Sequence, residues 1–470
     1  MRNILNFEKD FPEARVVMLE QNYRSTSRIL QTATHVIQSN QQRKHKDLWT
    51  ENEQGELTNV IETYTEHEEA QFVIKEIERL ADAGEVRRGN CAVMYRTNAQ
   101  SRVLEESFIR YGVPYKLVAG TRFYERREIK DILGYLRLIQ NPYDSVSMMR
   151  VINTPGRGIG QHSLDELAKW ARSQKISSFQ ALQRIASPEA GFEPPPFSTR
   201  IMKTLGGFGR LLNELITQSQ VLNLVDFFDL VVKRSGYKDY ILREEDGDER
   251  WDNVQELRTV AEEYRDLPPA EGLSAFLESV ALVSDIDDLE EENDKVTLIT
   301  LHQAKGLEFD VVFIVGVEEG LLPHFRSMDD PVQMEEERRL CYVGITRARR
   351  LIYLVRAFRR SLMGRSSVNK PSRFLLDIPR NLIAGGDFWH SAESQIGSDY
   401  TEEQTRASEP APQTVLQQYN TGDHVRHAQF GEGVVVSCTA RGSDSELVVA
   451  FSGVGVKKLL LSFAKLEKMG

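Results

Sequence analysis

Val296-Thr297-Leu298-Ile299-Thr300-Leu301-His302-Gln303-Ala304-Lys305-Gly306-Leu307-Glu308-Phe309-Asp310-Val311-Val312-Phe313-Ile314-Val315-Gly316-Val317 sets two apolar runs, Val296 to Leu301 and Val311 to Val317, on either side of a polar loop. Short apolar runs separated by loop signals predict strands of an α/β sheet. Polar residues that leave strand ends in such a sheet commonly face a ligand crevice, which makes the loop a candidate site. The alternative is a plain turn whose Gly306 only permits an unusual backbone angle.

The same alternation is visible on both sides of this stretch. From Ala14 to Gly120, the runs Val16 to Leu19, Val60-Ile61 and Cys91 to Tyr95 are separated by helical segments, Ser25 to Ser39 and one opening at His67. The second of these carries Phe72, Ile74, Ile77 and Leu80 on one face. Downstream, Leu351 to Val355 supplies another strand. Between Arg126 and about Ser284 strand patterns vanish. Helical spacing takes over, as in Ile129, Ile132, Leu133, Leu136 and again Leu224, Phe227, Phe228, Val231, with a Pro/Gly break at Gly191 to Pro196. The α/β part is therefore interrupted by an all-helical insertion. From about Ala384 to Asn420 large apolar residues thin out, the composition of a tether. Val425, Val434 to Val436, Leu447 to Phe451 and Val456 to Leu461 then predict a small β-barrel.

At 470 residues the chain calls for two to four domains, and 40% hydrophobic with 27% charged residues is ordinary for a soluble globular protein. No apolar run nears the roughly 20 residues of a membrane span, and the start, from Met1 to Lys9, is no secretory leader. A cytoplasmic protein with no membrane anchor is expected. Cys91, Cys341 and Cys438 lack metal-ligand spacing and argue against a disulfide framework. A net charge of −11 argues against uniform coating of nucleic acid but leaves room for a local basic track. Acidic residues gather at Asp285 to Asp294 and Glu335-Glu336-Glu337, basic ones at Arg122 to Lys130 and Arg347 to Arg350.

Three further segments carry chemistry. Leu19-Glu20-Gln21-Asn22-Tyr23-Arg24-Ser25-Thr26 sets an aromatic ring beside a guanidinium at a strand-to-helix junction, with Ser25 a capping type of residue. A ring can stack on a base and Arg can bond phosphate oxygens, although a packed Tyr and a surface Arg fit equally simple terms. In Glu336 to Arg350, Arg338, Cys341, Tyr342 and Ile345 fall at helical spacing and bring Arg347 to the helix end. There it can stabilise charge building on a transferring phosphoryl group. The competing reading, a basic helix end complementing its own dipole, suits Arg349 and Arg350 better than Arg347. In the insertion, Thr154-Pro155-Gly156-Arg157-Gly158-Ile159-Gly160 runs into Ser163-Leu164-Asp165-Glu166, a capping-box pattern. Amides around Gly158 and Gly160 can grip a duplex backbone, or simply form a glycine turn between helices.

In this order the segments at Tyr23, Thr300 and Arg347 resemble motifs IV, V and VI of the superfamily 1 DNA helicases of the UvrD/PcrA/Rep kind, and the likeness extends over nearly the whole chain. It implies a RecA-like parallel-sheet domain, 2A, at 14–125 and 285–383, with the helical 2B insertion at 126–284. The end of a preceding domain, 1A, would lie at 1–13, a disordered linker at 384–420 and a Tudor-like β-barrel at 421–470. The implied roles are adenine stacking for Tyr23, γ-phosphate contact for Arg24 and Arg347, and ribose contact for Glu308. Thr300, His302 and Lys305 would couple nucleotide state to single-stranded DNA. The implied activity is ATP-driven 3′-to-5′ unwinding at single/double-strand junctions, serving repair or replication, and the tail implies docking to RNA polymerase.

Hydrolysis also needs a phosphate-cradling loop, yet no Gly-Lys dipeptide occurs. Asp165-Glu166 and Asp248-Glu249 do not follow an apolar strand as a magnesium-holding carboxylate would. The ligands of Mg²⁺ are accordingly expected on a preceding domain, and this chain alone is expected to be inactive. The alternative is a non-catalytic module that binds DNA and RNA polymerase.

Overall fold

A computed structural model describes residues 11, 13–15, 17–41, 46, 48–118, 120–188, 195–285, 294–362, 364–384, 423–427, 431–441, 444–451, 455–460 and 466–468. Most of the segment 1–13, the break at 191–194, the acidic run 286–293 and the tether from 385 onward lie outside the described residues. The chain divides into two compact units, Met1–Tyr400 and Thr401–Gly470.

The first unit opens with α1 (Ser27–Gln38), β1 (Thr58–Thr63), α2 (Glu66–Asp82), β2 (Cys91–Tyr95), α3 (Ser101–Arg110) and β3 (Tyr115–Leu117). Among the described residues nine helices follow: α4 (Arg127–Gln140), α5 (Ser145–Val151), α6 (Gln161–Ser173), α7 (Ser178–Ala186), α8 (Thr199–Gln218), α9 (Leu224–Ser235), α10 (Tyr237–Ile241), α11 (Gly247–Glu262) and α12 (Pro269–Asp285). The strands then resume with β4 (Val296–Thr300) and β5 (Phe309–Val315), followed by α13 (Pro331–Ile345), β6 (Ala348–Ala357) and the pair β7 (Arg359–Leu362) and β8 (Arg365–Val368). Last come α14 (Arg373–Leu376) and β9 (Ile383–Ala384).

Seven strands form one sheet in the order β3-β4-β2-β5-β6-β1-β9, every pairing parallel. Alternation along the central strands builds the two cores. Ala92 and Met94, Val312 and Ile314, and Ile352 and Leu354 face one layer, closed by Ile29, Ala33 and Val36 of α1 and by Cys341 and Ile345 of α13. Cys91 and Val93, Val311 and Phe313, and Tyr353 and Val355 face the other, against Val73 and Ile77 of α2 and Phe108 of α3. Each Val, Leu, Ile, Phe or Met side chain so buried contributes about 1.5–3 kcal/mol. The intervening helices keep their own core around Ile132, Leu136, Phe227, Phe228, Leu257 and Phe276.

Two expectations need correction here. Val17 to Glu20 form no strand, and only an isolated bridge joins Gln21 to Trp49. Both flanks of β1 are already taken, by β6 and β9, so Val17 and Leu19 stay 65% and 77% exposed. The sheet also reaches Ala384, where the tether was expected to start, because Ala384 pairs with Asn59.

The second unit is an antiparallel sheet of β10 (His424–His427), β11 (Gly431–Arg441), β12 (Asp444–Phe451), β13 (Gly455–Leu460) and β14 (Leu466–Lys468), in the order β13-β12-β11-β10-β14. Val425, Val435, Leu447 and Val449 are its described buried side chains.

Candidate nucleotide site

Asn22 shapes the first element of the site. Its Oδ1 accepts from the amides of Arg24 and Ser25, both at 2.9 Å, an Asx turn that bends the chain just ahead of α1. Ser25 is not the cap: Thr26 occupies that position without a side-chain bond, and Ser25 Oγ instead donates to the Ala348 carbonyl at 2.6 Å. Thr26 N donates to the Arg349 carbonyl, so the turn is fastened to the start of β6.

Arg24 therefore projects over the amino ends of β5 and β6. Its Nε donates to Glu308 Oε2 at 2.6 Å and one terminal nitrogen to the Thr346 carbonyl at 3.2 Å. Arg349 bonds the other Glu308 oxygen. The two guanidiniums hold the Glu308 carboxyl below the usual carboxylate range. Arg347, just past the end of α13, folds back on the Val343 and Leu307 carbonyls and on Thr346 Oγ1. Burial, with Arg24 adjacent, lowers its pKa. The Tyr23 ring is 78% exposed, with its hydroxyl donating to Gln21 at 2.6 Å. An open cleft of about 910 Å³ is lined by Tyr23, Arg24, Asn52, Glu308, Asp310 and Arg349. Exposed ring, guanidiniums and carboxylate are the donor and acceptor set that a base, a phosphate chain and a ribose require.

Thr300 stands at the opposite, carboxyl end of the sheet, and His302 and Lys305 follow it on the loop that leads back. Thr300 closes β4, and its carbonyl accepts from Gln303 and Ala304, so the chain turns at the carboxyl end of the sheet. Residues 301–308 then run back to the amino end of β5, with Leu301 and Ala304 buried and His302 and Lys305 exposed. Gly306 takes φ +91°, the backbone angle that the turn reading of this loop calls for. Helix α13 makes the same crossing. Midway along it Glu337 grips Arg96 at 2.6 and 3.0 Å, and Arg96 directly follows β2. Desolvation, then Arg96, pushes the His302 imidazole below its usual pKa, against Glu337 and Glu249, which favours a neutral ring at neutral pH.

Gly158 and Gly160 lie apart from this sheet, in the helical region. Asn153 Oδ1 accepts from Arg157 N at 2.7 Å and Ile159 N at 3.1 Å, while Gly158 sits at φ +77°. The amides of Gly158 and Gly160 between them bond nothing among the described residues. The capping box at Ser163 does not form: α6 starts earlier, capped by Gly160, whose carbonyl accepts from Ser163 N. Arg157 points inward, to the Tyr135 hydroxyl and four carbonyls, and holds the turn together.

Sequence reasoning passed over Arg349 and Arg96. Arg349 and Arg350 belong to β6, not to a basic helix end, since α13 stops at Ile345.

Residues 17–357 match the family model of the UvrD-like helicase C-terminal domain, and residues 421–468 that of the PcrA/UvrD tudor domain. The chain is similar to proteins named ATP-dependent DNA helicase PcrA. It is 41% identical to that of Leuconostoc citreum over 498 residues, covering 100% of this chain and 65% of the relative. Against that of Staphylococcus aureus it is 41% identical over 477 residues, covering 100% and 64%. The chain thus spans about 64% of the length of such relatives. A solved C-terminal domain of a possible DNA helicase from Lactobacillus plantarum aligns with 78% of this chain and 99% of its own, at 11% identity and a TM-score of 0.30.

Proposed function

The chain belongs to the UvrD-like helicase C-terminal domain family, and from that premise we propose that it is the rear portion of an ATP-dependent 3′-to-5′ DNA helicase, serving repair or replication in the cytoplasm. In this reading residues 14–125 and 285–384 make the RecA-like domain 2A, 126–284 the insertion 2B, 385–420 a tether and 421–470 a docking module. The observation that carries it is the gathering of Tyr23, Arg24, Glu308 and Arg347 at one sheet edge, tied by residues 300–308 to the opposite edge.

Tyr23 stacks on adenine, Glu308 accepts from the ribose, and Arg24 and Arg347 supply positive charge to the γ-phosphoryl group. Thr300, His302 and Lys305 face single-stranded DNA, so that a shift of the 300–308 segment links the two ligands. His302, neutral at neutral pH, acts by hydrogen bonding rather than by charge. Gly158 and Gly160 offer amides to the duplex backbone at the single/double-strand junction. The tail docks to RNA polymerase.

Mg²⁺ does not fit the donor set present. Glu308 and Asp310 already face Arg24 and Arg349, and no group of three metal-ligating side chains occurs among the described residues. In this reading its ligands belong to the domain that carries the phosphate loop.

The test is DNA-stimulated ATP hydrolysis and unwinding of a 3′-tailed duplex by a polypeptide that joins this chain to an upstream phosphate loop. Arg347→Ala in it should lower kcat about a thousandfold while sparing DNA affinity. Failure of the parent polypeptide to unwind would end the reading. A second reading, a non-catalytic DNA- and polymerase-binding module, is favoured by the lack of a phosphate loop in this sequence. It requires DNA affinity with no ATPase even in the joined form.

A further inference from the structure

Glu308 is held from two sides. Arg24 approaches Oε2 side-on through Nε, at 2.6 Å, and Arg349 of β6 occupies Oε1. Arg349 is itself steadied by Asp310, whose Oδ1 lies 3.7 Å away and whose Oδ2 accepts from Asn90 at 2.8 Å. A carboxylate facing a single guanidinium tends to draw it into a two-pronged fork, and a fork would consume the donor edge that Arg24 needs for phosphate. With Oε1 taken, Arg24 spends only Nε on Glu308 and one terminal nitrogen on the Thr346 carbonyl. Its other terminal nitrogen bonds nothing among the described residues.

We propose that Arg349 is a positioning residue of the nucleotide site: by occupying the second oxygen of Glu308 it keeps that carboxylate turned toward the ribose, and it leaves Arg24 an open edge for phosphate. The inference rests on the reading of this cleft as the ATP site. It gives work to a side chain that the sequence assigned to a helix dipole.

The test is Arg349→Met in the ATP-hydrolysing polypeptide described above. The KM for ATP should rise about fivefold, more than kcat falls, as expected for one charge-assisted contact in a half-exposed cleft. Preference for ATP over ATP lacking its ribose hydroxyls should shrink. Glu308 faces Arg24, Arg349 and Arg347, with Asp310 behind Arg349. Removing one cation raises its pKa, so the loss of nucleotide affinity on acidification should begin at higher pH. Arg349→Lys should restore most of each effect. An unchanged KM, or a raised KM with unaltered ribose preference and acid limb, overturns the proposal. Arg24→Ala and Arg347→Ala separate the cases: if they too leave hydrolysis intact, the ATP-site reading fails, and if they abolish it while Arg349→Met is silent, only this inference fails.

Discussion

Gly344 stands where α13 crosses the 300–308 segment, and a Cβ placed there would meet Leu301 Cδ2 at 2.5 Å and Ile314 Cδ1 at 3.0 Å. Gly306, in that segment, has open space around it but a φ of +91°. The two glycines are thus required for different reasons, one by packing and one by backbone. Gly306→Ala should cost about 1 kcal/mol through strain alone. Gly344→Ala should cost about 1–3 kcal/mol and displace Leu301, so it should also weaken the DNA stimulation of ATP hydrolysis where Gly306→Ala affects it less. Urea denaturation beside the stimulated rate would check both, and equal loss of stimulation would dissociate the effect from the α13 contact. At this scale Arg347 was legible because four helical positions aim at it, and Gly306 because glycine has few rivals at such an angle. Arg349 was not, because its partner Glu308 is 41 residues away and only the strand start at Ala348 turns it into the cleft. Arg96 escaped for a like reason, its partner Glu337 being 241 residues away.

The central strands of the sheet were readable because near-continuous apolar runs are what burial on both faces demands. Runs with the same composition but no free sheet position misled, as at Val16 to Leu19. Short edge elements such as β3, with Tyr115 and Leu117 half-buried, carry almost no pattern of their own. The β7–β8 pair was invisible for another reason: its hold on the fold is ionic. Arg360 donates to Glu69 and Glu318, both at 2.7 Å, and all three side chains are at most 5% exposed. One guanidinium thus bonds two buried carboxylates, and the buried Arg356 faces both without a hydrogen bond to either. Burial raises the Glu69 carboxyl to about 7, with Glu318 adding to the rise and Arg360 opposing it. Arg360→Met should therefore destabilise the unit by about 3 kcal/mol, because both carboxylates lose the cation that bonds them and keep only Arg356 nearby. Glu69→Gln, which removes one of two competing negative charges, should cost far less. Chemical denaturation at neutral pH decides it; a similar loss for both variants would show that hydrogen bonding, not charge balance, secures the strand pair.

The sheet and the helices between β3 and β4 share one unit, and α11 makes much of the join. Glu256 accepts from Arg102 at 2.8 Å with both side chains at most 1% exposed, Asn253 accepts from Arg126 at 2.9 Å, and Thr259 Oγ1 accepts from Gly364 N at 2.7 Å. At the start of the helix, Asp248 and Asp252 lie 3.3 and 3.7 Å from Arg326. This polar seam escaped sequence reading because its pairs join segments more than 70 residues apart and show no periodicity. Burial raises Asp252 to about 6, with Asp248 and Glu249 adding and Arg326 opposing. The sign of its pH effect follows from linkage. An unfolded Asp titrates near 3.9, so between about pH 4 and 6 the folded chain binds more protons than the unfolded one. Asp252 thus contributes stability that is fully present below about pH 4 and is lost as pH rises through about 6. Asp252→Asn cannot titrate and should lack that descending component. Urea midpoints of parent and variant, measured from pH 4 to 7 on the unit Met1–Tyr400 within the intact chain, should converge or cross as pH rises, the parent losing ground to the variant. Parallel curves would mean that Asp252 ionises freely, and that the seam between sheet and helices is held by Arg102–Glu256 and Asn253 without a titrating member.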